Sequence, residues 1–218
     1  MSKSATANSR VNETRVDHIV DAVAALRAGA LIVFPTETLY GLGADALNFA
    51  AVEKVFQLKG RDPTNPFPVI VSDRAMLDRL VAAISPLAEK LMAHFWPGPL
   101  TLVLPARADI PPQLVNAAGG IGVRISSHPI ATELVRTLGR PLTATSANPS
   151  GQAGARTIAQ AKDYFPGKVD IFVDGGELAS ITGSTVAQVT ASNVKIIRAG
   201  EIAKRELEKV VGKGSIVT

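Results

Sequence analysis

The stretch from Leu31 to Ile70 carries the densest set of reactive and ligand-binding side chains. An apolar run, Leu31 to Phe34, opens into Pro35-Thr36-Glu37-Thr38-Leu39-Tyr40-Gly41, which offers two small hydroxyls, a carboxylate and a phenol. Downstream, Lys59-Gly60-Arg61 places two cations around one glycine, and Asn65 adds an amide. Arginine grips a phosphate in a fork while lysine acts as a point charge, so this spacing points to a phosphate-bearing ligand. Similar groups recur at later strand ends: Arg124 closes one predicted strand, Ser146 and Asn148 follow the next, Ser184 opens another and Arg198 ends the last. Strand ends in open α/β sheets are where ligands usually sit, in a concave pocket with a few fixed polar groups. Loops are wet, so one Ser or Thr at such a place says little. The whole set, with cations among the hydroxyls, is what marks a site.

Several familiar machineries are missing. The chain has no GxxxxGK[ST] phosphate loop, and Gly41-Leu42-Gly43 lacks the third glycine of a dinucleotide fingerprint. There is no cysteine, which excludes disulfides, thiolate catalysis and Cys-ligated zinc. His18, His94 and His128 stand apart; the first two read as surface or boundary residues of helices, and His128, just before Pro129, reads as helping to start one. Asp45, Asp62 and Glu37 do not form a metal pair by spacing, and Glu37 reads as a loop hydrogen-bond acceptor. Cations and hydroxyls without a nucleophile or strong base suit chemistry in which bound reactants attack one another, with positioning and charge stabilisation supplying the rate. Nucleotidyl transfer fits: a carboxylate or carbamate attacks an α-phosphate, pyrophosphate leaves, and Mg²⁺ is held mainly by the nucleotide.

The elements that must hold these groups follow from periodicity and stop signals. Helices are predicted over Asp17 to Ala28, from an Asn48 cap to Leu58, over Asp73 to Ile84, Pro86 to Phe95, Pro129 to Leu138, Thr157 to Tyr164 and Ile202 to Val211. Strands are predicted at Ala30 to Phe34, Pro68 to Val71, Leu100 to Leu104, Ile121 to Ile125, Pro141 to Thr145, Asp170 to Val173, Ser184 to Val189 and Val194 to Ile197. Asp109 to Gly120 is predicted as loop with a short helical piece. Alternating strands and helices give one α/β domain, and the closely spaced late strands make its twisted sheet mixed, with flanking helices. The domain is expected over residues 15–212, behind a flexible polar tail over residues 1–14.

A chain of 218 residues with 46% hydrophobic content can bury a sizeable core, built mainly of aliphatic side chains because aromatics are only 5%. The net charge of +4 is mild; it allows anionic ligands or weak contact with tRNA or double-stranded RNA. No apolar run of about 18 residues exists, so no membrane span is expected, and the polar N-terminus is no signal peptide. A cytoplasmic location is expected.

In this order, FPTETLYGLGADA, Lys59-Gly60-Arg61, Asn65-Pro66, FWPGPLT, the GVR ending at Arg124, Ser146-Ala147-Asn148 with Pro149-Ser150-Gly151, Gly183-Ser184-Thr185-Val186 and Arg198-Ala199-Gly200 resemble the YrdC-like family of threonylcarbamoyl-AMP synthases. The resemblance covers about Asp17 to Gly200. It implies a twisted α/β domain with a deep basic cavity. It also implies formation of threonylcarbamoyl-AMP and pyrophosphate from L-threonine, bicarbonate and ATP, the opening step of N6-threonylcarbamoyladenosine (t6A) modification of tRNA. By motif, Lys59, Arg61, Asn65, Ser146, Asn148 and Arg198 would face ATP, while Thr36, Thr38, Tyr40, Arg124 and Ser184 would face threonine and its carbamate. Arg124 would take the amino-acid carboxylate and Ser184 the threonine hydroxyl. The product would pass to a downstream t6A transferase machinery. Many family members carry a histidine where this chain has Ile70, and the chain resembles the short form that ends soon after the RxG motif. The alternative reading is an RNA-binding relative without this activity.

Overall fold

The computed structural model describes residues 18–62 and 64–217, so the predicted tail over residues 1–14 lies outside the described residues. Helix α1 covers residues 18–27 and leads into strand β1 (Ile32–Phe34). The chain then runs β2 (Gly41–Gly43), α2 (Phe49–Lys59), β3 (Val69–Ile70), α3 (Arg74–Asp78), α4 (Pro86–Phe95), β4 (Leu100–Pro105), β5 (Gly120–Arg124) and α5 (Pro129–Leu138). It closes with β6 (Leu142–Thr143), β7 (Thr145–Ser146), α6 (Ile158–Tyr164), β8 (Ile171–Phe172), β9 (Thr185–Val189), β10 (Val194–Arg198), α7 (Lys204–Val211) and β11 (Ile216–Val217). Beyond residue 212, β11 still pairs in parallel with β10.

The strands form two mixed sheets where one was expected. A four-stranded sheet has the order β7-β2-β1-β8, and a seven-stranded one the order β11-β10-β9-β4-β5-β3-β6. The predicted strand Pro141 to Thr145 is where they meet. Its first part, β6, pairs antiparallel with β3 in the larger sheet, and β7 pairs antiparallel with β2 in the smaller. The backbone between them is bonded to both sides: Thr143 N–H donates to Ala44 O at 2.9 Å and Ala144 N–H to Pro68 O at 2.9 Å. Gly41-Leu42-Gly43, absent from the strands predicted from sequence, is strand β2, paired with β1 and with β7.

Local signals explain most helix limits. Asn48 caps α2 by accepting from Ala51 N–H at 3.1 Å, and Gly60 ends it in the left-handed region at φ 60°. That conformation strains any residue with a Cβ, so Gly60 is what lets the chain turn sharply between Lys59 and Arg61. His128 is the N-cap of α5, its ring nitrogen accepting from Ile130 N–H at 3.2 Å, as its place before Pro129 predicts. The predicted helix over Asp73 to Ile84 stops at Asp78. Beyond it the backbone is claimed by β4: Val81 bridges Ala106, and Ala82 N–H donates to Pro105 O at 2.9 Å. Tertiary hydrogen bonds there replace further helical ones.

The core is aliphatic as composition suggests, with Tyr40, Phe34, Phe67 and Phe165 its bulkiest fully buried members. Phe67 stacks on Phe56 of α2 with ring centroids 4.2 Å apart, which fixes α2 against the segment leading into β3. No helix among the described residues is long and apolar enough to cross a membrane.

Candidate functional site

A cavity of about 390 Å³ opens at the seam between the sheets. This size suits a small molecule or a nucleotide. Of the eleven residues singled out from sequence, nine line it: Thr36, Thr38, Tyr40, Arg61, Asn65, Arg124, Ser146, Ser184 and Arg198. Among the described residues three arginines and no carboxylate line the cavity, so this lining is basic.

The β1–β2 loop forms one wall. Thr36 Oγ1 donates to Leu39 O at 2.7 Å and lies 3.0 Å from Thr38 Oγ1. A hydroxyl has one proton. With that of Thr36 on Leu39, Thr38 donates to Thr36 and keeps its own lone pairs for an incoming N–H. Tyr40 lines the cavity with its hydroxyl already bonded elsewhere. That hydroxyl has Gly176 O at 2.8 Å and Asp174 Oδ1 at 3.1 Å as acceptors, and takes a bond from Gly175 N–H at 2.9 Å. Burial, more than the nearby Asp174 carboxylate, pushes this phenol up to about 12.

At the end of β5, Arg124 is 5% exposed, and its guanidinium donates no hydrogen bond to a described residue. Among the described residues its one ion-pair partner is the Glu37 carboxylate, Nη1 to Oε1 at 3.3 Å, a contact that lacks hydrogen-bond geometry and leaves both atoms unsatisfied. Burial lowers the Arg124 pKa, and Glu37 raises it again in part. A buried guanidinium with unused donors beside a cavity is suited to an oxyanion.

Also in the lining, Arg61 is anchored through Nε to Asn65 O at 2.9 Å and lies over the Phe67 ring, leaving its terminal nitrogens for a ligand. Arg198 Nη2 donates to Ser184 O at 2.7 Å and to Ser184 Oγ at 3.2 Å. The RxG glycine makes this possible: a Cβ on Gly200 would stand 2.3 Å from Gly183 O and 2.5 Å from Thr185 N.

Lys59 and Asn148 fall behind the lining. Lys59 Nζ donates to Ser146 O at 2.6 Å and Asn148 O at 2.8 Å, so it braces the turn that presents Ser146. Asn148 Nδ2 donates to Pro149 O and Gln152 O, each at 2.8 Å, while its Oδ1 is buried without a partner. Burial, then repulsion from Arg61 and Arg198, pulls Lys59 down to about 7. Arg198 is lowered by burial and by Arg124 and Arg61. These cations therefore act on each other across one space, as a polyanion site requires.

Thr101 and Asn116 also line the cavity and were not singled out from sequence. Thr101, 1% exposed, pairs with Ser184 Oγ at 2.9 Å. A lone hydroxyl in the apolar strand Leu100 to Leu104 was the available signal. Ile70, at the place of the family histidine, adds an apolar wall.

The sequence profile of the Sua5/YciO/YrdC family, described as telomere recombination, matches residues 24–200. A threonylcarbamoyl-AMP synthase of Pyrococcus abyssi (strain GE5 / Orsay) is 39% identical over 188 residues, which is 86% of this chain and 55% of that protein. One of Bacillus subtilis (strain 168) is 36% identical over 91% of this chain and 58% of its own length, so the chain spans little more than half of these two relatives. The crystal structure of P. abyssi Sua5 complexed with L-threonine superposes with a TM-score of 0.87 at 38% identity, over 91% of this chain and 58% of that one. Escherichia coli YciO gives 0.79 at 27% identity, over 87% and 92%. Profile, relatives and fold agree across the segments that build the cavity, and the chain belongs to the Sua5/YciO/YrdC family.

Proposed function

We propose that the chain is a nucleotidyltransferase that makes threonylcarbamoyl-AMP from L-threonine, bicarbonate and ATP. The threonine amine and bicarbonate condense to a carbamate and water. A carbamate oxygen then attacks the α-phosphorus of ATP, and pyrophosphate leaves. The observation that carries this reading is the convergence of Arg61, Arg198 and Arg124 on one cavity, with Arg124 donating no hydrogen bond to a described residue. Curated relatives bear this activity's name, and a family member has been crystallised with L-threonine.

Arg61 and Arg198 would bind the triphosphate, with Lys59 bracing the Ser146 turn from behind. They neutralise charge as pyrophosphate departs. Arg124 would hold the threonine carboxylate, and the free lone pairs of Thr38 would accept from the threonine nitrogen. The reacting groups are thus oriented without a protein nucleophile. Among the described residues no cluster of acidic or histidine side chains could hold a metal, so Mg²⁺ would enter on the phosphates of ATP. The RNA-binding alternative is less well served, because these arginines face a cavity. A role in t6A formation, with product handed to a transferase in the cytoplasm, follows from this reaction.

The test is pyrophosphate release with ATP, Mg²⁺ and bicarbonate. Release that depends on L-threonine is expected; folded protein that shows no threonine dependence overturns the reading.

A further inference from the structure

We propose that Glu37 sets the specificity of the Arg124 end of the cavity. It is a resident counter-charge that leaves room for a singly charged carboxylate and turns away the more highly charged phosphates. The inference rests on the threonine and ATP reading given above.

Three arginines line one space of about 390 Å³, and a triphosphate is drawn to all of them. Yet the two substrates must occupy different ends. Glu37 is the carboxylate that breaks this symmetry. It is not among the lining residues, and its Oε1 lies 3.3 Å from Arg124 Nη1. Its side chain is 14% exposed and that of Arg124 is 7%, so little water screens the pair. Neither Arg61 nor Arg198 has an acidic partner among the described ion pairs; their contacts are the carbonyls of Asn65 and Ser184 and the Ser184 hydroxyl. Arg61 and Arg198 therefore carry positive charge with no acidic partner, while the charge of Arg124 is offset by Glu37.

The carboxylate is held where it is. Ser126 Oγ donates to Glu37 Oε2, and Ser126 itself is fixed by accepting from His128 N–H at 3.2 Å at the start of α5. With Oε2 so tied, Oε1 stays at its distance from Arg124 and does not close to a hydrogen-bonded fork. The guanidinium keeps its donors for a ligand, and its charge is already balanced. A carboxylate meets good hydrogen-bond donors there, and each further negative charge meets repulsion from Glu37. At a separation of about 6 Å, with an effective dielectric constant of about 20, that repulsion is worth roughly a hundredfold in affinity per charge.

The test is inhibition by inorganic pyrophosphate in the threonine-dependent reaction. In the wild-type enzyme pyrophosphate should compete with ATP and not with threonine. In Glu37→Gln it should also compete with threonine, at concentrations about tenfold or more below any effect of that kind in the wild type. Loss of a merely structural contact would raise the KM for threonine without creating this competition. Ser126→Ala, which frees Glu37 while keeping its charge, should shift the pattern in the same direction by a smaller factor, and it decides the matter if Glu37→Gln does not fold. An unchanged inhibition pattern against threonine in folded Glu37→Gln overturns the proposal. Absence of threonine-dependent turnover in the wild type overturns instead the reading beneath it.

Discussion

Arg198 and Ser184 form one unit: a single guanidinium nitrogen, Nη2, donates to the Ser184 carbonyl at 2.7 Å and to its hydroxyl at 3.2 Å. Thr101 meets the same hydroxyl from the neighbouring strand at 2.9 Å. The family resemblance would turn Arg198 to ATP and Ser184 to threonine, and the two side chains are hydrogen-bonded to each other.

Ser184→Ala should therefore disturb both substrates. It removes a charge-assisted bond, a loss of about 1.5–3 kcal/mol when unreplaced. The KM for ATP and that for threonine should both rise, by about tenfold or more, in steady-state pyrophosphate release. A rise confined to threonine would show that the hydroxyl acts independently of Arg198.

Arg61→Ala should weaken binding of a non-hydrolysable ATP analogue by roughly 10- to 100-fold, from the loss of one charge-assisted phosphate contact. Calorimetric titration reads this directly. Unchanged affinity would remove Arg61 from the nucleotide site.

Lys59 gives a pH signature. Burial and the neighbouring arginines hold it down to about 7, against about 10.4 in an unfolded chain. Between these values the unfolded chain keeps a proton that the folded one has released, so this group makes stability rise as pH climbs from about 7 towards 10. Below about 7 both states carry the proton, and the full penalty of burying the charge applies. A triphosphate against Arg61 and Arg198 should raise the Lys59 pKa. Binding of the ATP analogue at pH 8 should then take up roughly one proton, read from titrations in buffers of different ionisation enthalpy. Lys59→Arg should abolish the uptake.

Gly200→Ala should destabilise the fold by about 1–3 kcal/mol, because the added Cβ meets backbone atoms that have no room to move. Urea denaturation would show a lower midpoint. A variant as stable as the wild type would mean that the segments carrying Ser184 and Arg198 can separate without cost.

Local chemistry made much of this protein legible in its sequence. Asn48 is read as a cap and acts as one, because a cap is a contact between residues three apart; Asp73, Ser85 and Thr157 cap their helices in the same way. Lys59-Gly60-Arg61 ends a helix as written, since Gly60 alone suits the left-handed turn. Nine of eleven expected site residues reach the cavity, and Arg124, Ser184 and Arg198 do so at strand ends that the periodicity locates. What the sequence could not decide depends on partners far along the chain. Lys59 bonds a carbonyl 87 residues away and so falls behind the lining, and Tyr40 points its hydroxyl at a turn more than 130 residues on. The strand over residues 141–145 is divided between two sheets because β2 and β3 compete for its backbone from opposite sides. Periodicity records which faces are apolar. Only the folded chain fixes which distant donor meets which acceptor, and that choice settles which side chains remain free for a ligand.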